Sequence, residues 1–319
     1  MIRLSIVQED DVDEVIDFVE QGTATPWTRK SWLGSRNSGV VARIQGQVCG
    51  VLPLRPLKTR IGESVKTAYY CSAVRVAPNL RNLGVGSRMM EFACDHCVST
   101  SSFLVVVRDD PKSSAYRWYV ANGFESVAKV ASYRHQMSRE QPTFDIPPTI
   151  QVSGFGGPTF DQNCRWDDML SGAASTTHEP TEWKTFNDWR QRTEFHYYSA
   201  AYSEHKIFQI TSQSFVLLGL SARTEMRNEP RIDILEFVYR GEKTDVSFAT
   251  IAELAVANLT SDITPTLFWN MNVLEATQLG VADRWESRWQ TEILARGLTS
   301  DDQKEIAASY WRYRQLDFV

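Results

Sequence analysis

The chain has 319 residues, a mass of 36.3 kDa and a formal net charge of −5. Hydrophobic residues make up 42% and charged residues 23% of it, a globular composition that excludes disordered and fibrous classes. The acidic balance argues against nucleic acid as a partner, because a duplex-binding protein normally presents a basic face. At about 100–200 residues per domain, this length is typical of two domains.

The sequence favours a cytoplasmic protein without a membrane partner. The opening segment MIRLSIVQEDDVDEV lacks the regions of a signal peptide, and no stretch is apolar enough for a membrane span. Of five cysteines, Cys94 and Cys97 have CxxC spacing, but no second pair completes a zinc set. Since this pair lies in a predicted helix, we expect reduced thiols and no metal.

The first half alternates short strands and helices. Period-two and uninterrupted apolar runs predict strands at 2–7, 40–44, 48–52, 65–76, 102–107, 124–130 and 132–137. Helical spacing predicts helices that begin after Asp10-Asp11 and that span 87–98 and 113–121. The last helix ends at Asn122-Gly123, a glycine signal for a helix C-terminus.

A segment rich in proline and glycine divides the chain. Residues 141–158 contain four prolines and three glycines, which predicts a linker between domains at 1–140 and 159–319. In the second half we expect a helix at 180–195, a hairpin of 207–210 with 215–222, a strand at 232–239, a helix at 246–259, a strand at 266–271, a helix at 274–279 and a strand at 310–318. This order repeats that of the first half, which predicts a duplicated fold.

The segment with the clearest chemistry joins the strand ending at Val76 to the next helix. It has the pattern Arg81-x-x-Gly84-x-Gly86. Glycine lets the backbone approach an anion, and a helix N-terminus offers unpaired N–H donors and a favourable dipole. Together they form a cradle for a pyrophosphate, to which Arg81 adds a side-chain contact. The alternative, a glycine pair chosen only for a tight turn, stays open.

A second motif follows about 30 residues later, with Ala115, Tyr119 and Gly123-Phe124. With the first motif it resembles motifs A and B of the GCN5-related N-acetyltransferase (GNAT) superfamily, over about residues 1–138. The resemblance implies an α/β (α+β) fold, a mixed central sheet flanked by helices, in tandem here with a degenerate second copy. It also implies acetyl-CoA, or another acyl-CoA, as co-substrate.

The resemblance also implies roles for individual residues. The backbone of Val74 and Val76 would pair with the pantetheine arm, and Tyr119 stands where the family has its general acid. The amides holding the pyrophosphate would belong to Asn82, Leu83, Gly84, Val85, Gly86 and Ser87, beside the Arg81 side chain. Lys112 and Tyr116 would add further cofactor contacts.

The chain departs from the family in two places. Asn82 stands where many members have glycine, and residues 69–76 contain no carboxylate to act as a general base. The base therefore stays open. Candidates are water relayed by Ser72, Tyr70 or a main-chain carbonyl, and the side chains of His135, Asp109 and Asp110. An amine that arrives neutral needs no dedicated base.

The resemblance implies an N-acyltransferase that uses acetyl-CoA or another acyl-CoA. Its acceptor would be a small amine such as an amino sugar, an amino acid or a polyamine. Two alternatives stay open: a non-catalytic acyl-CoA sensor or scaffold, and an acyltransferase for a protein or a modified nucleotide. Residues 239–245 of the second half hold one glycine and two acids, so we expect no cofactor there. This half would wall the acceptor pocket, form a homodimer face or stabilise the first domain.

Overall fold

The computed structural model describes residues 1–20, 38–62, 64–71, 74–108, 111–136, 151–153, 176–179, 202–211, 215–224, 231–241, 253, 266–308 and 311–312. Helices flank a mixed sheet that runs through both halves of the chain, which confirms the predicted fold class. Along the main path of the sheet, neighbouring strands follow the order Ile2–Ile6, Ser38–Ile44, Gln47–Ile61, Ser64–Cys71, Phe103–Arg108, Glu286–Arg296, Glu125–Gln136, Thr266–Asn272, Arg231–Gly241, Phe215–Thr224, Tyr202–Thr211 and Gln151–Ser153.

In the part of it that the structure describes, the first half supplies seven strands and three α-helices. The strands are β1 (Ile2–Ile6), β2 (Ser38–Ile44), β3 (Gln47–Ile61), β4 (Ser64–Cys71), β5 (Arg75–Val76), β6 (Phe103–Arg108) and β7 (Glu125–Gln136). The helices are α1 (Val12–Glu20), α2 (Val85–Ser99) and α3 (Ser114–Ala121). Short 3-10 turns at Glu9–Asp11 and Pro78–Leu80 precede α1 and α2.

The second half supplies eight strands and two helices in its described residues. The strands are β8 (Gln151–Ser153), β9 (Thr176–Glu179), β10 (Tyr202–Thr211), β11 (Phe215–Thr224), β12 (Arg231–Gly241), β13 (Thr266–Asn272), β14 (Glu286–Arg296) and β15 (Trp311–Arg312). The helices are α4 (Val273–Gln278) and α5 (Ser300–Ala308). The predicted helix at 180–195 and most of that at 246–259 lie outside the described residues, and β8 lies within the predicted linker.

The strand predicted at 65–76 is interrupted. Cys71 of β4 pairs with Leu54, whereas Arg75 of β5 pairs with Val51. Four steps along β4 and β5 thus face three along β3, so the strand gains one residue, as at a β-bulge. Residues 72 and 73 themselves lie outside the described part of the chain.

The two strands predicted at 124–130 and 132–137 are one strand, β7. The prediction of a break was wrong, because Ala131 and Ser132 continue the ladders to both neighbouring strands. The neighbour on one side is β13. On the other side β14, which the sequence analysis did not predict, lies between β6 and β7 and is antiparallel to both.

The sheet is covered on both faces. On one face α2 and α3 enclose a core to which β3, β6 and β14 contribute Leu52, Leu54, Leu104, Val106 and Leu294. On the other face α1 packs on Val41 and Val51, and Ile306 of α5 packs in the cluster around Leu57 and Ile61. The alternation of β6, with even residues towards α2 and odd residues towards α5, positions the site described below.

Candidate functional site

Among the described residues, β4 and β6 are paired over a short parallel ladder only. The parallel ladder of β4 and β6 runs from Ala68 and Phe103 to Tyr70 and Val105. Beyond it, β5 pairs with β3, and β6 continues for three residues to Arg108. We call the region between β5 and residues 106–108 of β6 the cleft. It lies beside the loop that leads into α2.

The loop at residues 81–84 presents the start of α2. Gly84 is the N-cap of the helix with φ 77°, and no side chain caps the first turn. Arg88 is the first residue whose amide bonds back along the helix, to the Gly84 carbonyl at 3.0 Å. The preceding amides of the turn are therefore left for an external acceptor, and the helix dipole favours an anion there.

The two glycines of this loop are required for different reasons. At Gly84 a Cβ would meet nothing within 4 Å, but φ lies in the left-handed region. At Gly86 a Cβ would lie 3.3 Å from Cζ2 of Trp118 on α3, closer than most Cβ contacts. Gly86 therefore allows α2 and α3 to approach each other, a structural reason that holds with or without a bound anion.

The other predicted cofactor residues surround this turn. Arg81 and Asn82 are exposed, and the Arg81 Nε donates to the Val76 carbonyl at 3.2 Å, which ties the loop to β5. Leu83 is 67% exposed and Ser87 is half-buried, whereas Val85 points into the core. Val74 and Val76 are half-buried, and Lys112 lies exposed in the turn before α3.

Tyr119 of α3 lies beneath the surface beside the end of β6. It is only 1% exposed, and its ring packs edge-on against Trp118 and Phe124. Its hydroxyl oxygen accepts a hydrogen bond of 2.9 Å from Nη2 of Arg108. Burial raises the pKa of Tyr119 far above its ordinary value, and the charge of Arg108 opposes this rise.

Tyr116, one turn earlier on α3, contacts the second half of the chain. Its hydroxyl donates a hydrogen bond of 2.9 Å to Oε2 of Glu292 on β14. Burial, followed by this carboxylate, raises the pKa of the Tyr116 phenol. The inserted strand therefore reaches one of the predicted site residues directly.

The candidates for a general base are spread over different parts of the chain. Ser72, Asp109 and Asp110 lie outside the described residues. His135 stacks on Trp285 at 5.5 Å, and its Nε2 is 3.8 Å from Glu253. These contacts belong to the second half, and the structure does not bring His135 to Tyr119. Tyr70 lies on the opposite face of the sheet from Tyr119, with the Arg55 guanidinium 5.4 Å from its ring.

Sequence reasoning missed two residues of this site, Arg108 and Glu292. Arg108 ends the apolar run of β6, and its position after a buried strand was a usable signal. Glu292 carries no such signal, because it joins the site only through the insertion of β14.

Within the described residues, no group of three or more His, Cys, Asp and Glu side chains could hold a metal ion. Cys94 and Cys97 are free thiols on α2, and burial raises the pKa of Cys97 to about 12, with Cys94 adding to the rise. In the part of the chain that the structure describes, no helix is long and apolar enough to cross a membrane.

Comparison with solved structures places the fold. A protein from Enterococcus faecalis V583, described as a probable N-acyltransferase, is 13% identical with a TM-score of 0.62, covering 97% of this chain and 75% of that one. A GCN5-related N-acetyltransferase from Anabaena variabilis ATCC 29413 is 12% identical with a TM-score of 0.62, covering 93% and 72%. One from Kribbella flavida is 14% identical with a TM-score of 0.60, covering 95% and 72%. At these identities the likeness shows the fold, and it extends over both halves.

The model of the acetyltransferase (GNAT) family matches residues 7–124. The matched residues 7–124 are similar to this family and contain both motifs, which confirms the resemblance found in the sequence. No curated protein matches the sequence significantly.

Proposed function

We propose that this chain is an acyl-CoA-dependent N-acyltransferase that uses acetyl-CoA, or another acyl-CoA, and a small primary amine. The observation that carries the proposal is the uncapped first turn of α2, where Gly86 packs on α3 against Trp118, the residue before the buried Tyr119. An anion cradle and a buried acid are the two parts that thioester aminolysis needs from the protein.

The binding part of the proposal rests on the loop and on β5. The amides from Asn82 to Ser87 would hold the pyrophosphate, apart from that of Leu83, which donates to the Leu80 carbonyl at 3.4 Å. Arg81 and Lys112 would add positive charge. The backbone of Val74 and Val76, at the edge of the cleft, would pair with the pantetheine arm. Tyr116 would line the same side of α3, where Glu292 orients its hydroxyl.

The chemical part of the proposal assigns the acid to Tyr119. The amine nitrogen attacks the thioester carbonyl, the carbon–sulfur bond breaks, and Tyr119 donates a proton to the departing thiolate. An ordinary phenol already keeps its proton at neutral pH, and the charge of Arg108 opposes the rise in the pKa of Tyr119 that burial causes. Ser72 would relay the proton of the amine to water.

The proposal is tested by measuring the release of free CoA from acetyl-CoA. A thiol reagent detects the CoA, and glucosamine, alanine and spermidine are offered as acceptors. We expect release above the rate without protein for at least one amine. Binding of acetyl-CoA without release would favour the sensor or scaffold, which the near-complete burial of Tyr119 supports. Release of CoA only with a protein or a modified nucleotide as acceptor would show that the acceptor is not a small amine. A protein that neither binds acetyl-CoA nor releases CoA would contradict the proposal.

Three further parts of the proposal come from the sequence. They are a cytoplasmic location, a linker at 141–158 between domains at 1–140 and 159–319 that share one sheet, and a cofactor-free second domain. The second domain would wall the acceptor pocket, form a homodimer face or stabilise the first domain.

A further inference from the structure

Arg108 stands where the cleft, α3 and the second half meet. It is the last residue of β6, and it follows Leu104 and Val106 on the face covered by α2 and α3. Glu292 of β14 lies directly opposite it in the antiparallel ladder. Side chains at such paired positions lie on the same face of the sheet, about 4.5–5.5 Å apart at Cβ.

The guanidinium of Arg108 contacts both the hydroxyl and the ring of Tyr119. Nη2 lies 2.9 Å from the phenol oxygen, and the central carbon lies 4.7 Å from the ring centroid. Arginine has only donors, so the phenol oxygen is the acceptor in this bond. The proton of Tyr119 is therefore left for a different acceptor, which is the requirement for a proton donor.

The charges around this pair are arranged on three elements. Across the ladders, Glu292 has Arg108 of β6 on one side and Lys129 of β7 on the other. Tyr116 and Tyr119 are three residues apart on α3, a spacing that places both on one helix face. Tyr116 contacts Glu292 and Tyr119 contacts Arg108, so each tyrosine of α3 contacts one member of the cross-strand pair.

We propose that Arg108 is a positioning residue that orients the Tyr119 hydroxyl and stabilises the phenolate formed when Tyr119 gives up its proton. The inference rests on the proposed function, which it deepens. The amine nitrogen forms a bond to the acyl carbon and loses one proton to solvent. The carbon–sulfur bond breaks, and the sulfur receives the proton of Tyr119. Solvent then returns a proton to the phenolate beside the Arg108 cation, so that protons balance over the cycle.

The test is a double-mutant cycle on kcat, with acetyl-CoA and the amine of the panel that reacts fastest. We expect Tyr119→Phe to lower kcat by about 10²-fold, the ordinary loss of a general acid, and Arg108→Gln to lower it by about tenfold. In the Tyr119→Phe background, Arg108→Gln should change kcat by less than about twofold, because residues that act through each other are non-additive. Arg108→Lys should recover part of the loss, since it keeps the charge but not the planar fork.

Matched measurements separate this role from a structural one. KM for acetyl-CoA and the binding of acetyl-CoA should stay within about twofold in Arg108→Gln and Arg108→Lys. Arg117→Gln, at an exposed arginine of α3, the helix that carries Tyr119, is the surface control and should leave kcat unchanged. An equal loss from Arg108→Gln in both backgrounds, or no loss at all while Tyr119→Phe is impaired, would overturn the inference and leave the proposed function standing. A wild-type chain that neither binds acetyl-CoA nor releases CoA would overturn both.

Discussion

Asn82 and Gly84 both adopt a left-handed backbone in the loop before α2, with φ of 62° and 77°. Asparagine tolerates this region better than other non-glycine residues, which explains how the chain keeps the loop where many family members have glycine. In the structure Asn82 has the conformation that a glycine would adopt, and its side chain is exposed.

At Asn82 this leads to a stability prediction. Asn82→Gly should leave the free energy of unfolding nearly unchanged, whereas Asn82→Val should lower it by about 1–2 kcal/mol, because a β-branched residue is strained at positive φ. Urea unfolding of the two variants and the wild type measures this difference. Because the side chain is exposed, lost packing does not confuse the result. Equal stability of Asn82→Val and the wild type would contradict the left-handed conformation.

Among the elements, α5 shows how a C-terminal segment is fixed to the first half. Asp302 accepts hydrogen bonds from the Thr299 amide and hydroxyl at 2.9 and 2.7 Å, and from Lys66 of β4 at 2.6 and 2.7 Å. Burial alone would raise the pKa of Asp302, but the hydrogen bonds from Lys66 and Thr299 outweigh it and hold the pKa below its usual value. The contact therefore stabilises the charged form.

This contact predicts a pH-dependent effect. A lowered pKa contributes stability above the unfolded value of about 4 and loses it as the pH falls through the folded value. Asp302→Asn should therefore lower the melting temperature at pH 7, and the difference should shrink below pH about 4. Asp301→Asn, in an exposed pair with Lys304 on the same helix, is the control and should have little effect. A loss for Asp302→Asn that persists at low pH would contradict the role of its charge.

The same elements show how far the sequence could predict the structure. Strands β2 and β6 and helices α2 and α3 follow local patterns, because their apolar spacing and turn residues act within a few positions. The site could be predicted where it depends on the loop at 81–87. Strand β14 could not be predicted, because its burial results from the two strands on either side of it. The charged residues Glu286, Arg288 and Glu292 also obscure its alternation of apolar and polar residues. Glu292 was missed for the same reason.

At the scale of the whole molecule, both halves share one sheet. β14 pairs with Arg108 to Leu104 of β6 on one side and with β7 on the other, and Arg296 bonds Glu91 of α2 at 3.0 Å. The segment 266–308 thus contributes β13 and β14 to the same sheet on which motifs A and B lie. A strand lost from the middle of a sheet leaves two rows of unpaired backbone groups.

This arrangement predicts that residues 1–140 do not fold stably alone. The piece should aggregate or unfold without a cooperative transition, because β6 and β7 lose the strand between them. The same piece fused to residues 266–308 through a long Gly/Ser linker should regain a cooperative transition. Circular dichroism with thermal unfolding measures both. A piece of 1–140 that melts cooperatively near the temperature of the full chain would contradict the shared sheet and support an independent first domain.

The central claim is that the first turn of α2 holds the pyrophosphate of an acyl-CoA. Its most direct test is calorimetric binding of acetyl-CoA to the wild type and to Ser87→Asp. An acid in the first turn favours the helix itself but repels an anion at the cradle. The control is Ser300→Asp, an acid in the first turn of α5.

We expect micromolar binding, on the order of −8 kcal/mol, for the wild type and for Ser300→Asp. Ser87→Asp should bind at least about tenfold more weakly with an unchanged melting temperature, because like charges repel across the short distance of a direct contact. Equal binding by Ser87→Asp and the wild type would contradict the cradle, and with it the account of the site.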